Sequence, residues 1–270
     1  MITAIHHLDC CTLCPVGGKA MWGDKARMCS HVLLLETTSQ GLVLVDTGVG
    51  LADRRNRMDQ LGFFGVLGAF PTTDEGAAVG EITRLGLDPA DVRHVVLTHF
   101  DLDHAGGIGD VPQAKVHLLT PELEAARAPS SRERIRYRRA HVQAVQHWVP
   151  YAPTGEAWHG FPAVQEVDGL DGDVLLVPLS GHTRGHACVA VRTADGWLLH
   201  AGDAYFHRGT VTSSPVPPGF STFERLAAHD WARVRDNHAR LAEVIRDDPE
   251  LRVFCAHDPN ELEALQGEPS

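Results

Sequence analysis

The chain opens without the charged and then apolar beginning of an export signal. Nowhere in its 270 residues does an apolar run approach the length needed to cross a bilayer. Both absences lead to the expectation of a cytoplasmic protein with no membrane partner. An excess of positive charge is missing too: 24 Lys and Arg against 35 Asp and Glu leave −11, which argues against a surface built to hold nucleic acid. No internal repeat is clear enough to mark a duplication. The pair Cys11 and Cys14 has neither a second C-x-x-C to complete a zinc site nor a thioredoxin-like context. Cys10, Cys11, Cys14 and Cys29 therefore read as ordinary thiols of a reducing compartment, with a structural metal as the lesser alternative. Cys188 and Cys255 lie inside apolar runs and read as small core residues.

What is present is a hydrophobic content of 43%, enough for a sizeable core, and a single domain over residues 1–270 is expected. The stretch 98–107, T-H-F-D-L-D-H-A-G-G, places His99, Asp101, Asp103 and His104 within six residues, directly after the β-branched run 92–97. Such a run reads as a buried strand. In extended chain alternate side chains share a face, so His99, Asp101 and Asp103 converge on one point while His104 turns toward a neighbouring one. Imidazoles and carboxylates are donors to borderline and hard divalent cations. The competing reading is a solvated acidic loop with an aspartate capping a helix.

Along the rest of the chain, residues 32–35 and 42–45 form a hairpin around a polar, glycine-containing turn. Residues 61–70 are apolar and glycine-rich, which suits a flap whose Phe63, Phe64 and Phe70 line a pocket, or equally core aromatics under a loop. Helices are expected over 74–85, 121–128, 131–148 and 223–246, and strands over 115–119, 174–177, 188–191, 197–200 and 251–255. Arginines cluster between Arg132 and Arg139. Such runs are usually solvated helix faces, and the alternative is recognition of an acidic substrate group.

These residues also carry a resemblance. The 99–104 pattern resembles the H-x-H-x-D-H signature of metallo-β-lactamase-fold hydrolases, with Asp101 in place of the second histidine. V-D-T-G at 45–48, G-H-T-x-G-H at 181–186, A-G-D at 201–203 and a late His257 follow in the family's order, and the likeness covers roughly residues 32–258. It implies an α/β fold, the αββα sandwich of two facing mixed β-sheets with outer helices. It also implies two divalent metal ions, zinc above all, with iron or manganese admitted by the harder Asp101 oxygen. By the same resemblance His99, Asp101 and His182 hold one ion, Asp103, His104 and His257 the other, and Asp203 bridges them. Asp46 supports the metal loop from behind, and His186 matches a supporting position. His200 reads as a packed strand-end histidine, and His229 and His238 as surface residues.

The chemistry this implies is attack by a metal-bridging hydroxide, with Asp103 guiding a proton to the leaving group and Tyr205 as a candidate donor to the substrate oxygen. The leading expectation is a hydrolase of a small ester or lactone, resembling the acyl-homoserine lactonase branch. Phosphodiester or glutathione-thioester hydrolysis is the alternative within enzymes. A non-hydrolytic metal or redox protein is the alternative outside them, although the flavodoxin-like domain of the fold's oxygen-reducing members is missing.

Overall fold

In a computed structural model, which describes residues 1–12, 27–56 and 72–267, the apolar runs assemble into two six-stranded sheets. The first holds β1 (Ile2–Asp9), β2 (His31–Thr37), β3 (Leu42–Val45), β4 (Val92–Val96), β5 (Lys115–Leu119) and β6 (His147–Tyr151) in that spatial order. The second holds β7 (Glu156–Trp158), β8 (Phe161–Glu166), β9 (Val174–Pro178), β10 (Ala187–Thr193), β11 (Gly196–His200) and β12 (Leu251–Phe254), also laid side by side in sequence order. Both are mixed. The strands from β1 to β3 pair antiparallel and those from β3 to β6 parallel, while in the second sheet only β11 and β12 are parallel.

The side-chain period of two explains how the layers form. On β2, Leu33 and Leu35 join Val43 and Val45 of β3, Leu176 of β9 and Val189 and Val191 of β10 in the core shared by the two sheets. Their neighbours Val32, Leu34, Leu42 and Leu44 face the other way, against Ala78, Ile82, Ile108 and Leu123. On the second sheet, Leu175, Val177, Cys188 and Ala190 likewise face outward onto Leu241 and Val211. A sheet buried on both faces needs continuous apolar strands, which is what these short runs provide. Helices cover the outer faces: α1 (Leu51–Arg55), α2 (Ala78–Arg84), α3 (Leu102–Ala105), α4 (Thr120–Arg127), α5 (Arg139–Ala144), α6 (Gly209–Thr212), α7 (Pro218–Ala227), α8 (Trp231–Asp247) and α9 (Pro259–Gln266). The expected αββα sandwich is what forms. Among the described residues, no helix is long and apolar enough to cross a membrane.

Three expected helices are corrected, each by a tertiary partner. The helix over 74–85 begins only at Ala78, because the buried Arg54 guanidinium takes the carbonyls of Thr73, Glu75 and Gly76, and Gly76 sits at φ +71°. Residues 131–148 are not one helix: a 3₁₀ turn (Glu133–Ile135), α5 and β6 share them. There Tyr137 reaches across to Glu122, and Glu133 pairs with Arg184. The helix over 223–246 is two, α7 and α8, parted at residues 228–230, where the amides of His229 and Asp230 donate to the carbonyls of His182 and Gly181. Strands β1, β6, β7 and β8 were not foreseen. The segment 61–70, with Phe63, Phe64 and Phe70, and Cys14 lie outside the described residues. Cys10, Cys11, Cys29, Cys188 and Cys255 are free and buried.

Candidate metal centre

The predicted ligands come from the ends of both sheets. His99 follows β4, and Asp101, Asp103 and His104 lie on or beside the short α3. His182 sits between β9 and β10, Asp203 just after β11, and His257 just after β12. The structure brings all of them together, but Leu102–Ala105 is a helical turn and not extended chain, so Asp103 joins His104 and not His99 and Asp101. Nε2 of His99, Oδ2 of Asp101, Nε2 of His182 and Oδ2 of Asp203 form one group of donor atoms, and Asp103, His104 and His257 form another.

Within the first group the separations are 3.1 Å (His182–Asp101), 3.3 Å (His182–Asp203), 3.5 Å (His99–Asp101) and 3.7 Å (His99–Asp203). A tetrahedral ion with ligands at about 2.0–2.2 Å would set its donors about 3.3–3.6 Å apart. The second oxygen of Asp203, Oδ1, turns to the other group, 3.0 Å from Nε2 of His257 and 3.2 Å from Nε2 of His104. Asp103 Oδ2 lies 3.6 Å from the same nitrogen of His257. Nε2 of His99, Nε2 of His104, Oδ1 of Asp101 and Oδ1 of Asp203 are buried with no hydrogen-bond partner. Buried polar atoms without partners are costly unless something else satisfies them. Donor type, spacing and unmet need all fit a divalent cation.

The other edges of these rings are held. Asp46, at the end of β3 with φ +59°, accepts from the Thr98 amide at 2.8 Å, the Thr98 hydroxyl at 2.7 Å and Nδ1 of His104 at 2.8 Å. Since the Thr98 hydroxyl donates to Asp46, its oxygen accepts from Nδ1 of His99 at 3.0 Å. His257 donates from Nδ1 to the Cys29 carbonyl at 2.6 Å. In each case the proton is fixed on the far nitrogen, leaving Nε2 to face the centre. His186 donates to the Leu179 carbonyl and accepts from the amide of Asp203, so it orients the bridge from behind. A Cβ on Gly202, at φ +53°, would lie 2.7 Å from that His186 nitrogen, so only glycine permits this approach.

Charge follows the geometry. Burial pushes the Asp203 and Asp101 carboxyls up, but the surrounding histidines for the first, and Arg136 with His182 and His99 for the second, hold both well below the usual carboxylate range. His182 is pushed down to about 4, first by burial and then by the Arg136 charge.

Two residues of the centre escaped sequence reading. Glu122 on α4 is 1% exposed and accepts from the amides of Phe100 and Gly185, the Thr183 hydroxyl and the Tyr137 hydroxyl. Phe100 lies between His99 and Asp101, and Thr183 follows His182, so one carboxylate ties the two loops together. Its only sequence signal was an acid in a first helical turn. Arg136, counted before only within an arginine cluster, places Nη1 3.4 Å from Asp101 Oδ2. Arg132, by contrast, donates to the Ala228 carbonyl at 2.9 Å, near the end of α7.

Tyr205 is placed differently from its expected role. It is fully buried in the outer core of the second sheet, and its hydroxyl donates to the Glu261 carboxylate at 3.0 Å. His200 is a packed strand-end residue, donating to the His31 carbonyl at 2.6 Å. His229 is exposed and His238 half-buried. Next to the donors lies a buried apolar cluster of Met28, Val49, Leu102, Phe206 and Phe220, with Phe223 packed against it. Phe206 stacks on His257 with ring centres 5.1 Å apart.

Comparison with known proteins agrees with this architecture. The family model described as the metallo-beta-lactamase superfamily matches residues 29–257. A probable metallo-hydrolase of Mycobacterium tuberculosis is 43% identical over 259 residues, covering 95% of this chain and 80% of that protein. An N-acyl homoserine lactonase of Bacillus cereus is 26% identical over 227 residues, covering 83% of this chain and 79% of that one. A solved N-acyl homoserine lactone hydrolase, with the product N-hexanoyl-L-homoserine bound at its catalytic metal centre, superposes with a TM-score of 0.70 at 22% identity. That match covers 98% of this chain and 96% of the other. From its sequence motifs, its sheets and these matches, the chain is a metallo-hydrolase belonging to the metallo-beta-lactamase superfamily.

Proposed function

We propose that the protein hydrolyses a small ester or lactone of the N-acyl homoserine lactone kind at a centre of two divalent cations, zinc in preference to iron or manganese. The observation that carries this reading is Asp203, whose two oxygens face different donor groups. His99, Asp101 and His182 would hold one ion with Asp203, and Asp103, His104 and His257 the other. Cations bound there supply an activated water at neutral pH and draw charge from a carbonyl oxygen.

The remaining work falls to the chain's own residues. Asp46, Thr98 and the Cys29 carbonyl each accept from the far ring nitrogen, so Nε2 is the nitrogen turned to the centre. Asp103 is 16% exposed where Asp203 is 4%, which supports giving Asp103 the proton transfer to the leaving oxygen. Tyr205 takes no part. The buried apolar cluster of Met28, Val49, Leu102, Phe206 and Phe220 beside the donors keeps that side of the centre dry. The lactonases among the relatives support the same class.

The test is a substrate panel on protein of defined metal content: acyl-homoserine lactones, simple esters, phosphodiesters and S-acylglutathione. Lactone or ester turnover that vanishes with chelator and returns with zinc is expected. Turnover confined to phosphodiesters or thioesters would overturn the substrate class, and none at all would overturn the hydrolytic reading of this centre.

A further inference from the structure

Asp101 departs from the family motif, and Arg136 stands beside it. Nη1 of Arg136 lies 3.4 Å from Oδ2 of Asp101 and 3.4 Å from Nε2 of His182, two donor atoms of the same group. That nitrogen also donates to the His182 carbonyl at 3.1 Å, and Nη2 donates to the Ala227 carbonyl at 2.7 Å. With the side chain 15% exposed, two carbonyls pin a permanent positive charge against the ligands where little water screens it. Alone, such a charge would repel a divalent ion. Beside a carboxylate that replaces a neutral imidazole, it has a different consequence.

We propose that Arg136 and Asp101 form one compensating unit, the guanidinium cancelling the negative charge that Asp101 adds to the first group. Arg136 is thus a positioning residue that sets the charge of the centre through Asp101. This rests on the reading of two divalent cations. Two such ions facing the carboxylates of Asp101, Asp103 and Asp203 leave one net positive charge; an imidazole at position 101 would leave two. Arg136 restores the second. Net positive charge is what lowers the pKa of a bound water and stabilises a developing oxyanion, so a lone carboxylate at position 101 would weaken both effects. With Arg136 in place the first ion keeps a hard oxygen donor while the pocket keeps its electrophilic character. From sequence alone Asp101→His looks like a harmless return to the family pattern. The structure makes it the removal of one half of an ion pair.

The experiment is a double-mutant cycle of Asp101→His and Arg136→Met, read as zinc affinity by chelator competition on protein whose fold is verified by circular dichroism. Charge compensation predicts opposite single effects of about ten-fold or more that cancel when both residues are changed. Arg136→Met should bind zinc at least about ten-fold more tightly and Asp101→His at least about ten-fold more weakly, with the double variant within about three-fold of the parent. Arg136→Lys, which keeps the charge, should stay close to the parent. Single effects of the same sign, or weaker binding in Arg136→Met whichever residue stands at position 101, would reduce Arg136 to a strut for the His182 loop and overturn the proposal. Should Arg136→Met not fold, Asp101→His compared with Asp101→His/Arg136→Gln reads the same coupling. Lack of lactone turnover in every variant with the zinc coupling intact would sink the substrate assignment and leave the pair standing.

Discussion

The carboxylate of Asp46 lies 2.8 Å from Nδ1 of His104, a residue 58 positions further along the chain. Only one ring nitrogen of His104 can then face the centre, and that choice is made before any ion arrives. Burial raises the Asp46 carboxyl, but His104 holds it below its ordinary value, so the contact is one of a charged acceptor. Asp46→Ala should leave the ring free to turn and the Thr98 amide and hydroxyl unpaired. Zinc affinity is expected to fall by about 10–100-fold. Titration with zinc checks it, and unchanged affinity in a folded variant would remove Asp46 from the support of the centre.

Asp203→Ala is expected to lower the metal content below that of the parent and to reduce turnover by at least about 100-fold, since charge neutralisation and ligand spacing are lost together. Elemental analysis beside the activity assay separates the two effects. Near-normal rates with full metal content would show that another residue bridges the groups.

Glu122 holds its partners from both metal-bearing loops without touching the donor atoms. Glu122→Ala leaves the amides of Phe100 and Gly185 and the Thr183 hydroxyl without their acceptor. Each buried unpaired group costs about 1–3 kcal/mol, so a loss of at least about 3 kcal/mol is expected. Thermal melts of the metal-free protein measure it apart from any effect of the ion. A loss below about 1 kcal/mol would mean that the loops hold their positions by other contacts.

Tyr205→Phe is the complementary variant. The hydroxyl bonds to Glu261 in the core. Its removal should cost about 1–2 kcal/mol of stability while kcat and KM stay within about two-fold. A large fall in kcat alone would return Tyr205 to the reaction.

A buried chain of contacts away from the centre predicts a pH effect. His117 bonds through Nε2 to His94 and through Nδ1 to the Tyr151 hydroxyl, and burial, then His94 and Lys115, push it down to about 3. A histidine depressed in the folded state stabilises fully above its unfolded pKa of about 6.5 and loses that contribution as pH falls toward the folded value. At pH 5.5 the loss from this group is about 1 kcal/mol. Denaturant midpoints at pH 7.5 and 5.5, in the parent and in His117→Gln, test the sign: the variant should be less stable at pH 7.5 but flatter with pH. Equal slopes would assign the acid sensitivity elsewhere.

The strands that carry the ligands were legible because burial on both faces makes them mostly apolar, as at β9 before His182, although Arg93 and His94 interrupt β4. The ligands were legible because His and Asp crowd around strand ends. Strand β1 was obscured by its partial exposure, with Thr3, His6 and His7 among its apolar residues. The helices of residues 131–148 and 223–246 were overdrawn because what interrupts them lies far off in sequence, at Glu122, Gly181 and His182. Glu122 and Arg136 escaped for the same reason. A lone acid and one arginine of five carry no local mark of the loops they hold.

The donors are divided between the two sheets: His99 to His104 hang from the end of the first, His182, Asp203 and His257 from the second. Each of the two donor groups draws on both halves of the sandwich. A cation bound there would join the seam only once both sheets have met, and would add stability that grows with its free concentration as RT ln(1 + [L]/Kd). Starving the protein of metal should therefore loosen the joint between the layers before it disturbs either sheet.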